Sequence, residues 1–426
     1  MIQAVSKHRR VLGRGFWSLC DQGIVSAGNF FTMVLTARGE SKHDYGALVI
    51  LFGVLLALNN IHSSLITYQI SVRGSTTDAN GLRRIVGNSL IATLLLAVPF
   101  TVAIVLACVA VGRVELIGWA MLASLTWQLQ ETVRRGLMAQ LRFSAVVWGD
   151  AISFLGQTGV IFTLKWMGQL QLSYILIGMS VTSFAALILQ LAQIGFATVS
   201  MAELSSLIKS GWNLGRWLLL NNFLSVMNLQ LVSWVTAAAH GIEQAAQLQA
   251  ISNILGVTHP VLMGLSSLIV PATARARASE GVGRAMRSAL TYAGMGVVLL
   301  APIWLVIAAI PQNVLLAFYK DKYIDCTLLL RLVALVYAID FAGWMLSAIL
   351  NGLENNRAVF LSSLAMGCVT LALTLPLTLK FGVIGAVIGS VVSVTARVVA
   401  SSYFVNQLRR TSDAQAFPVL PMGQMS

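Results

Sequence analysis

Asp21, His62, His259 and Asp340 stand out because each lies inside an otherwise apolar stretch. A carboxylate in such a setting can hold and release a cation, so Asp21 and Asp340 are candidates for ion coupling. The two imidazoles could shuttle protons, although a hydrogen-bonded packing histidine is the plainer use. A second group, Asn59, Asn60, Asn221, Asn222 and Asn253, offers amides that can bond a polar solute or join neighbouring helices. A third group is cationic. Arg14, Arg38, Arg73, Arg216 and Arg275 sit near the ends of apolar runs. A guanidinium fork matches phosphate oxygens, and the same charges can serve only to orient the chain. No nucleophile stands beside a base and no metal-ligand spacing occurs. Gly13-x-Gly15 is a helix-entry pair and not a nucleotide loop. Cys20, Cys108, Cys326 and Cys368 are scattered without a CxxC pair, which supports neither zinc nor a disulfide framework. The chemistry on offer is binding and translocation. The chain does not read as an enzyme.

The elements that must position these groups are membrane spans. The composition is 57% hydrophobic and only 10% charged, with a mean hydropathy of +0.80. About 20 mainly apolar residues cross a bilayer as a helix. Twelve runs meet that length: 15–37, 45–71, 85–111, 115–133, 145–166, 171–197, 216–239, 247–271, 286–310, 329–351, 357–379 and 383–406. The expected fold class is all-α integral membrane. Its twelve transmembrane helices form two six-helix lobes, related as pseudo-twofold parallel repeats around a central cavity.

Basic residues set the orientation. Of 28 Lys and Arg, seven fall in one set of loops: Arg38, Lys42, Arg113, Lys165, Lys320, Lys322 and Lys380. Nineteen fall in the other set or the termini, and Arg331 and Arg397 lie within spans. Both termini are therefore expected in the cytoplasm. The net charge of +13 is topological charge facing anionic headgroups, so no nucleic-acid partner is implied. The halves divide as 1–197 and 216–408, with a cytoplasmic linker at 198–215 and a tail at 409–426. In the linker, Met201, Leu204, Leu207 and Ile208 share one face of an interfacial helix. A faint repeat links Trp17-x3-Asp21-Gln22 with Trp217-x3-Asn221-Asn222, and His62 with His259. Polar residues concentrate in spans one, two, seven and eight, which predicts a hydrated path between the halves.

Two segments carry a family resemblance. The first is Phe16-Trp17-Ser18-Leu19-x-Asp21-Gln22, with Asn29-Phe30, Leu35-Thr36-Ala37-Arg38-Gly39 and His43-Asp44-Tyr45-Gly46-Ala47-Leu48. The second runs from Leu315 to Tyr323, followed by Leu328-Leu329-Leu330-Arg331-Leu332 and Asn351-Gly352. Together they resemble the multidrug/oligosaccharidyl-lipid/polysaccharide (MOP) exporter superfamily, in size and style the O-antigen and exopolysaccharide flippases. Lys320 departs from the pattern, which usually has glycine there. The resemblance implies a flippase for a polyprenyl-pyrophosphate-linked oligosaccharide in the bacterial inner membrane. It implies no cofactor, and the cycle is driven by an antiported proton or sodium ion or by the membrane potential. The expected partners are the lipid-linked oligosaccharide, membrane lipids and other polysaccharide-assembly proteins. The five arginines would meet the pyrophosphate, Arg38 after inversion. Asn59, Asn60, His62, Asn221, Asn222, Asn253 and His259 would line the path. A cation-coupled multidrug antiporter of the same fold is the alternative. A membrane polymerase or ligase is a weaker one, because no external loop is long enough to carry its catalytic residues.

Overall fold

The structure is a computed structural model and describes residues 2–75, 77–195 and 200–416. Among the described residues it is helical throughout, with no strand. The first half contains α1 (Ile2–Gly39), α2 (Lys42–His62), α3 (Tyr68–Gly74), α4 (Ala79–Ala110), α5 (Ile117–Ala139), α6 (Phe143–Asp150), α7 (Gly156–Trp166) and α8 (Leu172–Ile194). The second contains α9 (Met201–His240), α10 (Ile242–Gly256), α11 (His259–Glu280), α12 (Val282–Ala309), α13 (Pro311–Tyr319), α14 (Thr327–Gly352), α15 (Asn356–Val369) and α16 (Leu375–Ala416). A helix satisfies its own backbone, which is what oil demands.

Among the described residues each of the twelve apolar runs falls on helix, and seven helical stretches are long and apolar enough to cross a membrane, or up to eight counting α10 and α11 as one bent span. Asn356–Arg410 contains two of the twelve runs, parted at Gly382. There φ is +62° and ψ −139°, a conformation open only to glycine. Span two joins α2 to α3 through a π-turn at Ser63–Thr67. Spans five and eleven carry π-turns at Ala151–Leu155 and Thr370–Thr374. These two spans hold corresponding places in the two halves. Residues 201–215 form the start of α9 and run into span seven without a break. Leu204 and Leu207 are buried, while Met201 and Ile208 are exposed.

The chain divides into two compact units, 1–257 with 318–322, and 258–317 with 323–426. Unit 1 has two apolar cores. One gathers Leu48, Leu51, Ile104, Ala120, Ile175 and Leu176. The other gathers Ile66, Leu82, Val133, Leu137, Ile194 and Leu204. Unit 2 is built around Ile269, Ala289, Leu300, Ile349 and Leu350. Val98 and Leu106 on α4, and Val298 and Leu305 on α12, are largely exposed. Such residues suit acyl chains and would be costly in water.

Candidate functional site

The most concentrated chemistry in unit 1 is an ion cluster around Arg134. Its guanidinium donates to three carboxylates: Asp21 Oδ2 at 2.9 Å, Asp150 Oδ2 at 2.6 Å and Glu131 Oε2 at 3.1 Å. Arg135 Nε donates to Glu131 Oε1 at 2.5 Å. Asp21 and Asp150 are fully buried, and Arg134 is 8% exposed. Three elements build the cluster: α1 brings Asp21, α5 brings Glu131 and both arginines, and α6 ends at Asp150 where a π-turn begins. Asp21 Oδ1 and Asp150 Oδ1 are buried without a donor. Three acids face two arginines, so the fully ionised cluster carries one uncompensated negative charge. Buried charge of this kind survives only through such pairing.

His62 lies close by along α5. Its Nε2 is 3.0 Å from Thr93 Oγ1 and 3.2 Å from Thr132 Oγ1. The two threonine hydroxyls are 3.0 Å apart. The ring is fully buried, and its Nδ1 has no partner.

The amides sort into distinct uses. Asn222 donates to Ser64 Oγ at 2.9 Å, joining α9 to the π-turn of span two. Asn253 donates to Tyr45 OH at 2.8 Å, joining α10 to α2. Asn60 donates to Leu56 O within its own helix. Asn59 Oδ1 is buried without a partner. Glycines let these helices touch. A Cβ on Gly215 would lie 2.3 Å from Ser64 O, and one on Gly46 2.2 Å from Ile242 O. Spans two and seven and the first part of span eight are therefore packed on one another within unit 1.

Arg38, Arg73 and Arg216 are exposed. The side chains of Arg14, Asn221 and Arg275 lie outside the described residues.

Unit 2 has its own polar centre. Arg397 donates to the Asp340 carboxylate and to Asp340 O. Of the two arginines that lie within spans, Arg397 is the one that pairs with Asp340. Arg331 instead donates to Ala308 O at 3.0 Å. The Arg397 guanidinium stands 5.9 Å from the Trp344 ring centre, and His259 meets the same ring edge-on at 6.3 Å. Gly343 makes room for Arg397, since a Cβ there would lie 2.7 Å from its Nε. His259 is exposed at the start of α11.

Arg134 and Arg135 belong to α5, and Arg134 is buried against acids and is not a solvated charge. Other cations group by end of unit 1. At one end of unit 1, Lys322 donates to Ala37 O at 2.6 Å and to Glu40 O. Lys165 reaches Leu35 O at 3.4 Å, and Arg113 pairs with Asp44. These cations all come from the sparse set of loops. From the richer set, Arg83 donates to Ile194 O and Arg142 to Gln193 O, while Arg84 pairs with Glu203.

No family model matches the sequence, and no curated protein is significantly similar to it. Solved structures are similar in fold. An inward-facing multidrug-resistance MATE transporter of the MOP superfamily superposes with TM-score 0.70 at 16% identity, over 90% of this chain and 95% of that one. A MOP-superfamily transporter from Pyrococcus furiosus, described as having a binding pocket of reversed polarity that suggests a different function, gives 0.60 at 13% over 92% and 95%. A eukaryotic MATE transporter gives 0.63 at 12% over 95% and 99%. The all-α architecture of twelve membrane helices in two lobes is accordingly the fold of the MATE transporters of the MOP superfamily.

Proposed function

We propose that the chain is an alternating-access flippase that carries a polyprenyl-pyrophosphate-linked oligosaccharide from the cytoplasmic to the outer leaflet of a bacterial inner membrane, with both termini cytoplasmic. One observation carries the choice of substrate charge. Of the acids inside the spans, Asp21, Glu131 and Asp150 pair with the Arg134 cluster and Asp340 with Arg397, while Glu115 stands at a span's first residue beside Arg113. Among the described residues every acid deep in a span has an arginine partner, and the one negative charge in excess lies on buried groups, which disfavours a cationic drug as the cargo. Exposed arginines at Arg38, Arg73 and Arg216 suit an anionic headgroup. Arg14 and Arg275 belong to the same proposal by position in the sequence. The partly buried amides and His259 would meet the glycan.

Coupling follows from the same cluster. The donor-free oxygens of Asp21 and Asp150 could share one proton, cancelling the excess negative charge. Asp340 is the corresponding candidate in unit 2. The cycle requires no cofactor beyond such a proton or a sodium ion. Its partners are the lipid-linked sugar, the bilayer and other polysaccharide-assembly proteins.

The multidrug reading rests on the solved structures that are described as multidrug-resistance transporters. Mass spectrometry of lipids retained by the purified protein separates the two. An isoprenoid diphosphate sugar supports the flippase. Its absence, together with efflux of ethidium-like dyes, overturns it.

A further inference from the structure

The end of α1 at Gly39 attracts more positive charge than a helix terminus needs. Lys165 and Lys322 reach its carbonyls at Leu35, Ala37 and Glu40. They satisfy acceptors that the helix leaves open and sit at its negative pole. Two cations would suffice for that, yet Arg38 lies on the same last turn and Lys320 lies two residues before Lys322. Both are exposed, and neither is held by an acid among the described residues. Lys165 lies within electrostatic range of Arg38, Lys320 and Lys322 together. Of the acids on this face, Asp44 is taken up by Arg113 and Ser41. Glu40 is half-buried between Asp44, Lys322 and Arg113, and Asp321 is exposed.

The backbone adds a second observation. Lys320 closes α13 with φ at +53°. Glycine occupies that left-handed region without strain, and a lysine does so only at a cost. A lysine kept in a strained position near Arg38, which no acid among the described residues holds, points to an absent anion.

We propose that Arg38, Lys165 and Lys320 form a phosphate-binding site at this end of unit 1, one that takes a diphosphate group. The site is built from residues of unit 1 alone. Its use as the landing point for an inverted lipid headgroup rests on the flippase reading above, and the anion site itself does not. The source of the diphosphate is either a lipid headgroup or free pyrophosphate.

The test uses the purified full chain in nanodiscs, with inorganic pyrophosphate as the probe. Tryptophan fluorescence serves as the readout, because Trp166 adjoins Lys165 and is 83% exposed. Saturable, salt-sensitive binding is expected, and R38Q/K320Q should weaken it by roughly tenfold. K320G separates charge from folding. It should lose affinity while staying at least as heat-stable as the wild type, because it relieves the backbone. K320R should retain binding. No saturable binding in the wild type, or unchanged affinity in R38Q/K320Q, overturns the site. Nanodiscs doped with an isoprenoid phosphate lipid identify the source. Competition with pyrophosphate supports the lipid headgroup, and undiminished pyrophosphate binding supports the free anion at the same site. Pyrophosphate binding without any co-purified isoprenoid diphosphate sugar keeps the site and sinks the flippase. The sugar lipid retained without pyrophosphate binding does the reverse.

Discussion

Arg134 decides more of unit 1 than any other single residue. Three carboxylates converge on it in a setting where an unpaired charge is costly. Arg134→Met leaves them unpaired and should cost about 3–5 kcal/mol, read as a large drop in thermal stability or in membrane abundance. Adding Asp21→Asn and Asp150→Asn to that variant should restore part of the loss. An R134M protein as stable as the wild type would show that the acids are already neutral. Glu40, in the loop after α1, makes a pH prediction. Burial and the neighbouring Asp44 carboxylate raise it from 4.5 to about 7, against the pull of Lys322 and Arg113. Its folded form holds a proton more tightly than the unfolded chain does. Its contribution is therefore full below 4.5 and is lost as pH rises through about 7. Thermal melting of the wild type should show this decline across that window, and Glu40→Gln should flatten it. Asp21 was visible in the sequence as a polar residue in oil. Its partner was not, because Arg134 is 113 residues away and sits at a span end where a topological arginine is expected.

At the scale of elements, small residues and backbone irregularities govern how helices approach. The π-turn at Ser63–Thr67 opens the carbonyl ladder of span two where α9 crosses it. Ser64 O then faces Gly215, so close that any side chain there must displace backbone. Gly215→Leu should destabilise by about 1–3 kcal/mol through overpacking, measured as a lower melting temperature in detergent. A G215L variant that melts like the wild type would mean α9 can slide along span two at little cost. The helical character of every span was legible, since twenty apolar residues in lipid leave few other choices. The π-turns and the continuous helix from the linker into span seven were not legible. They depend on which carbonyl a neighbouring helix satisfies.

At the scale of the whole molecule, the orientation makes the broadest prediction. Lys320 and Lys165 share one end of unit 1 with Arg38, while Arg83, Arg84 and Arg142 cluster with the carboxy end of α8 and the start of α9. In a background free of Cys20, Cys108, Cys326 and Cys368, a Lys320→Cys variant should react with a membrane-impermeant maleimide added to intact cells. Arg84→Cys should react only after permeabilisation. The opposite pattern would invert the topology and move the proposed diphosphate site to the cytoplasmic face.

The amino-acid sequence alone determined the solvent and the helical class, and it set an expected sidedness. These are sums over many residues: hydropathy over each run, and cation counts over alternating loops. Single positions, such as an arginine spent on buried acids, leave such sums intact. Only the tertiary structure decided which charges are spent on one another and which stay free. Pairing energy depends on distances of a few ångströms between side chains remote in the chain. Asp21, Glu131 and Asp150 became one cluster, Asp340 paired with Arg397, and Arg38 and Lys320 were left exposed with no acid among the described residues to hold them.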